Sequence, residues 1–472
     1  MAFSYKVHFW AIRQRSGRRK PYEVRWQVNS RERSESFTTK GLAESRRSEL
    51  MQAARRGEPF DEETGLPASE LRAKLQNVTW YQHTRDFIEK RWDGTPAKSR
   101  RNFADALATI TPVLVKTETG CPDPHVLRRA LYSWAYNKLA WQQEPQPEWR
   151  KALNWLERNS VPIGDLEDQQ TLRKALDALG KRLDGKSAAA RTALRKRACL
   201  SDVLGMAAEA KYFTTALNPL QSVQWTAPRT TEEVDPEAVA NPRQVRRLLA
   251  AVRAQGDRGE HLEAFFGCLY YAGMRPAEVI RLQKSQCRLP EKGWGTLTLR
   301  GGTVRAGRSW TDDGSAHEQR SLKWRAPEDS RPVPIPPACT RLLRTHIERF
   351  GTAPDGRLFR TNRNGLVQES GYGEAWAKAR ASVLTPEETS SSLARRPYDL
   401  RHAGISFWLS SGVDPAEVAR RAGHSLAVLF RVYAKVLAQS QERANRRIDA
   451  ALKEWGEASE PDGPKLGPNF PT

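Results

Sequence analysis

The 472-residue sequence contains no run of 18 apolar residues, and its first residues, Met-Ala-Phe-Ser-Tyr-Lys, form no apolar signal-peptide core. A membrane-spanning helix is thereby excluded, and a soluble, intracellular protein is expected. Cysteine is scarce: Cys121, Cys199, Cys268, Cys287 and Cys339 are an odd set with no close pair. Neither a disulfide framework nor the short Cys/His spacings of a zinc site can be built from them, so reduced thiols in the core are expected. No period of 20–50 residues recurs, which excludes a solenoid. Negative charge is also in deficit, with 55 acidic against 77 basic residues and a formal net charge of +22. Such a field attracts a polyanion, and the excess of arginine over lysine suits bidentate contacts to phosphate.

The length calls for more than one domain. In residues 1–57, Tyr5, Val7, Phe9 and Ala11 alternate with Lys6, His8 and Trp10, Tyr22, Val24, Trp26 and Val28 alternate again, and Glu35 to Thr39 supplies a third strand. A helix over 42–56, stopped at Gly57, completes a small α+β module carrying 14 basic and 5 acidic residues. Its first turn concentrates Arg15, Arg18, Arg19 and Lys20, candidates for DNA contact. Pro, Gly and acidic residues mark 58–70 as a linker. Residues 71–224 read as an all-α domain, in which Arg100, Arg101, Arg191, Arg195 and Lys196 form candidate DNA-facing positions. Proline-rich 225–242 reads as a second linker. Residues 243–456 read as a mainly α domain with strands near 296–300 and 331–335, an inserted loop at 301–322, and a disordered tail after 456.

Within this last domain stand groups whose chemistry is complementary. Arg275 lies in Gly-Met-Arg-Pro-Ala-Glu, Lys323 in Leu-Lys-Trp-Arg, Arg401 in Tyr-Asp-Leu-Arg-His, His424 in Ala-Gly-His-Ser and Tyr433 in Arg-Val-Tyr-Ala. Two arginines can grip a phosphate, lysine and histidine can move protons, and a tyrosine hydroxyl can attack phosphorus. With no metal-ligand pattern beside them, the transition-state charge falls to side chains. The combination points to phosphodiester cleavage through a phosphotyrosine. Pro276 and Glu278 also suit a helix start, so Glu278 is read as a support for Arg275. His402, beside Arg401, is read as a supporting residue.

The segments 271–282, 322–336, 397–403 and 422–435, with 23 residues from Arg401 to His424 and nine from His424 to Tyr433, carry a resemblance. The chain resembles tyrosine recombinases of the phage-integrase type, and closely the integrases of actinobacterial phages and integrative plasmids. That resemblance implies an arm-binding module at 1–57, a core-binding domain at 71–224 and a catalytic domain at 243–456. It implies Arg275, Lys323, Arg401, His424 and Tyr433 as catalytic residues, Tyr433 being the nucleophile, and a 3′-phosphotyrosine intermediate. Tyr398 occupies a place where most members have histidine, and is kept in the catalytic set. The implied partners are double-stranded attachment-site DNA, three further copies in a tetramer, and an excisionase or DNA-bending host factor. No cofactor is implied, and the implied location is the bacterial cytoplasm, at the nucleoid. A type IB topoisomerase or a non-catalytic DNA-binding regulator of the same fold are the alternative readings.

Overall fold

A computed structural model describes residues 3–70, 78–213, 217–230, 233–322, 326, 328–438 and 441–458. The chain divides into two compact units, Met1–Thr230 with Ala306–Gly314, and Thr231–Arg305 with Ser315–Thr472.

The first unit opens with an antiparallel sheet. Its central strand Tyr22–Val28 pairs with Val7–Phe9 and Arg13–Gln14 on one side and Arg31–Phe37 on the other. The third strand thus begins four residues earlier than the alternation suggests, because Asn29 takes a left-handed conformation (φ 54°) that makes a tight hairpin. Val24, Trp26 and Val28 point to one face, where they meet Ala43, Leu50 and Ala53 of the helix Lys40–Arg55. Residues 58–70 are not an open linker. Phe60 is fully buried in the same core, Phe60–Asp61 pairs with Phe3–Ser4, and the Trp26 indole donates to the Gly65 carbonyl at 2.6 Å. Their Pro, Gly and acidic composition builds a turn, with the Asp61 carboxylate accepting from Thr64 N and Oγ1.

A second core in this unit joins the helices Trp80–Trp92, Ala97–Ile110, Pro124–Ala130, Pro147–Asn159, Gln169–Leu179 and Ala190–Glu209. Thr79 caps the first with a capping box closed by Gln82. At its centre the Tyr136 hydroxyl bonds Thr84 Oγ1 (3.0 Å) and Thr111 Oγ1 (2.7 Å), and the Trp80 indole donates to Thr111 (2.9 Å). Tyr136→Phe removes the hydroxyl that bridges Thr84 and Thr111, so a loss of about 0.5–1.5 kcal/mol is expected in urea unfolding of the full chain.

The segment Ala306–Gly314 belongs to this core although its flanking strands belong to the other unit. Trp310 is 5% exposed and lies against Trp92 and Tyr132, with ring centroids 6.3 and 5.2 Å away. Asn137 Nδ2 donates to the Ser309 carbonyl, and Arg100 holds both oxygens of Asp312 at 2.6 and 3.0 Å. The region 301–322, expected to be a loop, is an ordered hairpin of Gly302–Arg305 with His317–Arg320 around that tip.

In the second unit, the helix Asp257–Tyr271 is buried along most of its length and packs among Pro242–Arg253, Pro337–Phe350 and Asp399–Ser410. A three-stranded antiparallel sheet runs in the order Arg331–Ile335, Gly295–Leu299, Cys287–Arg288. The helix Gln441–Ala458 closes the described chain; from residue 459 the expected tail lies outside the described residues. No helix among the described residues is long and apolar enough to cross a membrane.

Candidate active site

The site grows from the C-terminal end of Asp257–Tyr271. The chain turns at Gly273, buries Met274 and starts the helix Pro276–Arg281 with Arg275 at its N-cap. Pro276 suits the first helical position, and Glu278 at the third reaches back to accept from Arg275 N at 2.8 Å. The same carboxylate accepts from Arg275 Nη1 at 3.0 Å and from Arg331 Nη2 at 2.9 Å. Glu278 therefore caps a helix and positions two guanidinium groups. Burial by itself would raise its carboxyl, but Arg331, Arg275 and Arg401 together hold it below the ordinary value.

Arg401, on Asp399–Ser410, is completely buried. It donates to the carbonyls of Gly273 and Ala422, the latter at 2.7 Å, and to His424 Nε2 at 2.8 Å. Arginine only donates, so Nε2 must accept and the His424 proton sits on Nδ1. That Nδ1 has no hydrogen-bond partner among the described residues. Burial, followed by Arg401 and Arg275, lowers His424 to about 3, keeping it neutral. A buried N–H donor is thus left without a partner among the described residues, beside Arg401 and the two guanidinium groups that Glu278 holds.

Gly423 holds this corner together. It ends Pro415–Ala422 in the left-handed conformation (φ 64°), and its carbonyl accepts from Arg275 Nη2 at 3.0 Å. A Cβ there would lie 2.1 Å from Arg331 Nη1, so glycine is required both by the backbone and by the close guanidinium.

Tyr433 sits where the helix Leu426–Ala438 bends, with non-helical φ −114° and ψ 20°. The bend lies in a sparsely populated backbone region where active-site residues are often found. Its side chain is fully buried and its hydroxyl lies 3.0 Å from His402 Nδ1. Burial pushes the phenol well above its ordinary value, opposed by Arg401. The Tyr398 ring meets His402 edge-on at 5.1 Å, and the His424 ring stacks toward Tyr433 at 6.4 Å.

The structure thus gathers Arg275, Glu278, Tyr398, Arg401, His402, His424 and Tyr433. Lys323 lies outside the described residues. Arg331 joins the gathered residues, although its sequence neighbours describe only the start of a strand. An arginine placed before Pro-Val-Pro-Ile-Pro, where a strand edge meets a helix N-terminus, was the available signal. Of the candidate DNA-facing residues, Arg18, Arg19, Lys20, Arg101, Arg191 and Arg195 are exposed, and Arg15 pairs with Glu23 at 2.7 Å. Arg100 and Lys196 are instead buried. Arg100 is held by Asp312, and Lys196 Nζ bonds Thr109 at 2.7 Å and pairs with Asp105 at 3.4 Å. In the helical core domain, Lys98, Arg101, His125, Arg128, Arg129 and Arg195 line a cavity of about 660 Å³.

No protein-family model matches the chain, and no curated protein sequence does. Among solved structures, the Tn1549 transposon integrase in complex with transposon right end DNA is similar over 79% of this chain and 100% of that one, at 16% identity and a TM-score of 0.50. A lambda integrase dimer bound to a COC′ core site aligns over 88% of this chain and 91% of that one, at 13% identity and a TM-score of 0.44. The XerH site-specific recombinase bound to difH aligns over 71% and 92%, at 12% identity and a TM-score of 0.40. On the first of these likenesses, the chain shares the fold of the Tn1549 transposon integrase.

Proposed function

We propose that the chain is a site-specific DNA recombinase, an integrase that cuts and rejoins strands through a 3′-phosphotyrosine at Tyr433. The observation that carries this reading is the cluster of Arg275, Arg331 and Arg401 around Glu278, beside a buried His424 Nδ1 that has no partner among the described residues. Three positive groups share one negative group, an arrangement that favours an incoming phosphate. Arg275 and Arg401 polarise the phosphate, His424 donates to a non-bridging oxygen, and together they meet the charge of pentacoordinate phosphorus. Lys323 protonates the departing 5′ oxygen. Because the phosphotyrosine retains the bond energy, a different 5′ hydroxyl can reverse the attack.

Attachment-site DNA is the proposed substrate. The exposed basic turn at Arg18, Arg19 and Lys20 belongs to an arm-binding module, and the basic cavity of the helical domain takes the backbone near the cut. A tetramer on two duplexes, an excisionase or DNA-bending partner, and action at the bacterial nucleoid complete the reading. The test uses full-length protein and a duplex recovered by selection from a random-sequence pool, nicked beside the cut so that religation fails. An SDS-stable protein–DNA band is expected; its absence on every selected duplex overturns the reading.

A further inference from the structure

The Tyr433 hydroxyl must lose its proton as it attacks, and the geometry narrows the acceptors. His424 is ruled out, because its Nε2 lone pair already accepts from Arg401 at 2.8 Å and its Nδ1 carries the proton. The Asp399 carboxylate is tied to Arg396, accepting from its backbone N at 2.7 Å and its Nη2 at 3.0 Å. Arginines offer no lone pair. Among the described residues His402 Nδ1 remains, 3.0 Å from Tyr433 Oη and within the range required of a general base.

We propose that His402 is a catalytic base that takes the Tyr433 proton during cleavage and returns it during rejoining; this rests on the recombinase reading. In cleavage the Oη–P bond forms, the P–O5′ bond breaks, and the Oη proton moves to His402 Nδ1. The departing 5′ oxygen takes its proton from a separate acid. In rejoining each transfer runs backward, so no oxidant or other reactant is consumed. The helix Asp399–Ser410 supplies Arg401 for the phosphate and His402 for the nucleophile from adjacent positions. The Tyr398 ring, edge-on to the imidazole at 5.1 Å, keeps it turned toward Tyr433.

The groups facing the imidazole keep it neutral in the resting protein, and in the Nε2–H tautomer its Nδ1 accepts from Tyr433 Oη. Burial, opposed by Asp399 and reinforced by Arg401 and Arg396, lowers His402 to about 4. Tyr398 on its own helix, Tyr433 on Leu426–Ala438 and His424 just before that helix complete its surroundings. An anionic phosphate seated on the arginines would favour the imidazolium and so ease proton transfer as attack proceeds.

The test measures single-turnover cleavage of the selected, nicked duplex with oxygen or with sulfur at the bridging 5′ position. His402→Gln removes the base, and His402→Phe does so while keeping a packed ring. Both are expected to bind DNA as the parent does and to cleave about 10²–10⁴-fold more slowly, the usual span of a general base. Sulfur leaves without protonation, so it should rescue loss of an acid but not loss of this base. Between pH 7 and 9 the variants should gain about tenfold per unit as hydroxide substitutes for imidazole, whereas the parent stays level. Parent-like rates, rescue by sulfur, or slow cleavage with the parent's pH profile would each overturn the assignment. If the parent forms no adduct, the recombinase reading itself falls, and this role with it. An adduct in the parent with a normal rate in both variants condemns His402 alone.

Discussion

Tyr433→Phe is expected to fold, to bind the selected duplex with parental affinity, and to yield no covalent adduct. The substitution removes one oxygen from a side chain that is otherwise wholly enclosed, so the bend in Leu426–Ala438 and the arginine cluster keep their packing. The loss in rate should be on the order of 10⁶, the scale seen when a nucleophile is deleted from an organised site. What survives is electrostatic: on the proposed reading Arg275, Arg401 and His424 still hold the phosphate, but nothing attacks it. Removing the hydroxyl also leaves His402 Nδ1 without its partner, a change of about 1–3 kcal/mol that thermal unfolding would register. An SDS-stable band from this variant would reassign the nucleophile.

Glu278→Gln should have the larger effect on stability. The carboxylate is 5% exposed and is the anion between Arg275 and Arg331, with Arg401 close enough to depress its pKa. Glutamine keeps the shape and one acceptor but leaves the guanidinium groups without a negative counterpart. Removing one partner of a buried ion pair commonly destabilises by about 3–5 kcal/mol. Urea unfolding should show that loss, and added sulfate should restore part of it by occupying the cluster. The pH dependence has a definite sign. With the folded carboxyl held below its ordinary 4.5, its stabilisation is complete above that value and is lost as pH falls through the folded value. The Gln variant should lack this component. Unchanged stability would mean that water, rather than Glu278, balances the arginines.

The gathered residues were legible because their chemistry is bound to short phrases. Arg275 with Pro276 and Glu278 is at once a helix start and a guanidinium held by a carboxylate, and Gly423 before His424 marks a left-handed stop. Arg331 was illegible because its role depends on a carboxylate 53 residues away, whereas its own neighbours describe only a strand. His402 was visible as a residue but not as the partner of Tyr433, since a 31-residue separation carries no periodic signal. The alternation of Tyr22–Val28 disclosed a strand with one buried face, yet the turn chemistry at Asn29 set where the next strand began. Composition misled at 58–70, where the residues that favour a tether also favour a tight turn, and the buried Phe60 decides between them. Charge misled at Arg100 and Lys196. An arginine on a basic helix looks solvent-facing until Asp312, 212 residues on, is placed against it.

That pairing bears on how the molecule can be taken apart. The core of the helical domain includes Ala306 and Trp310, which follow it in the chain by some seventy residues or more. A fragment ending at Thr230 would carry every helix of that domain and still lack an indole that Trp92 and Tyr132 enclose. Its helices would collapse onto a vacancy or recruit an aromatic group from elsewhere. A synthetic peptide of residues 306–314, bringing Trp310 and Asp312 together, is the natural complement to such a fragment. The fold is thus modular in its architecture but interleaved in its covalent order, and a cut made after Thr230 separates a side chain from the core it completes.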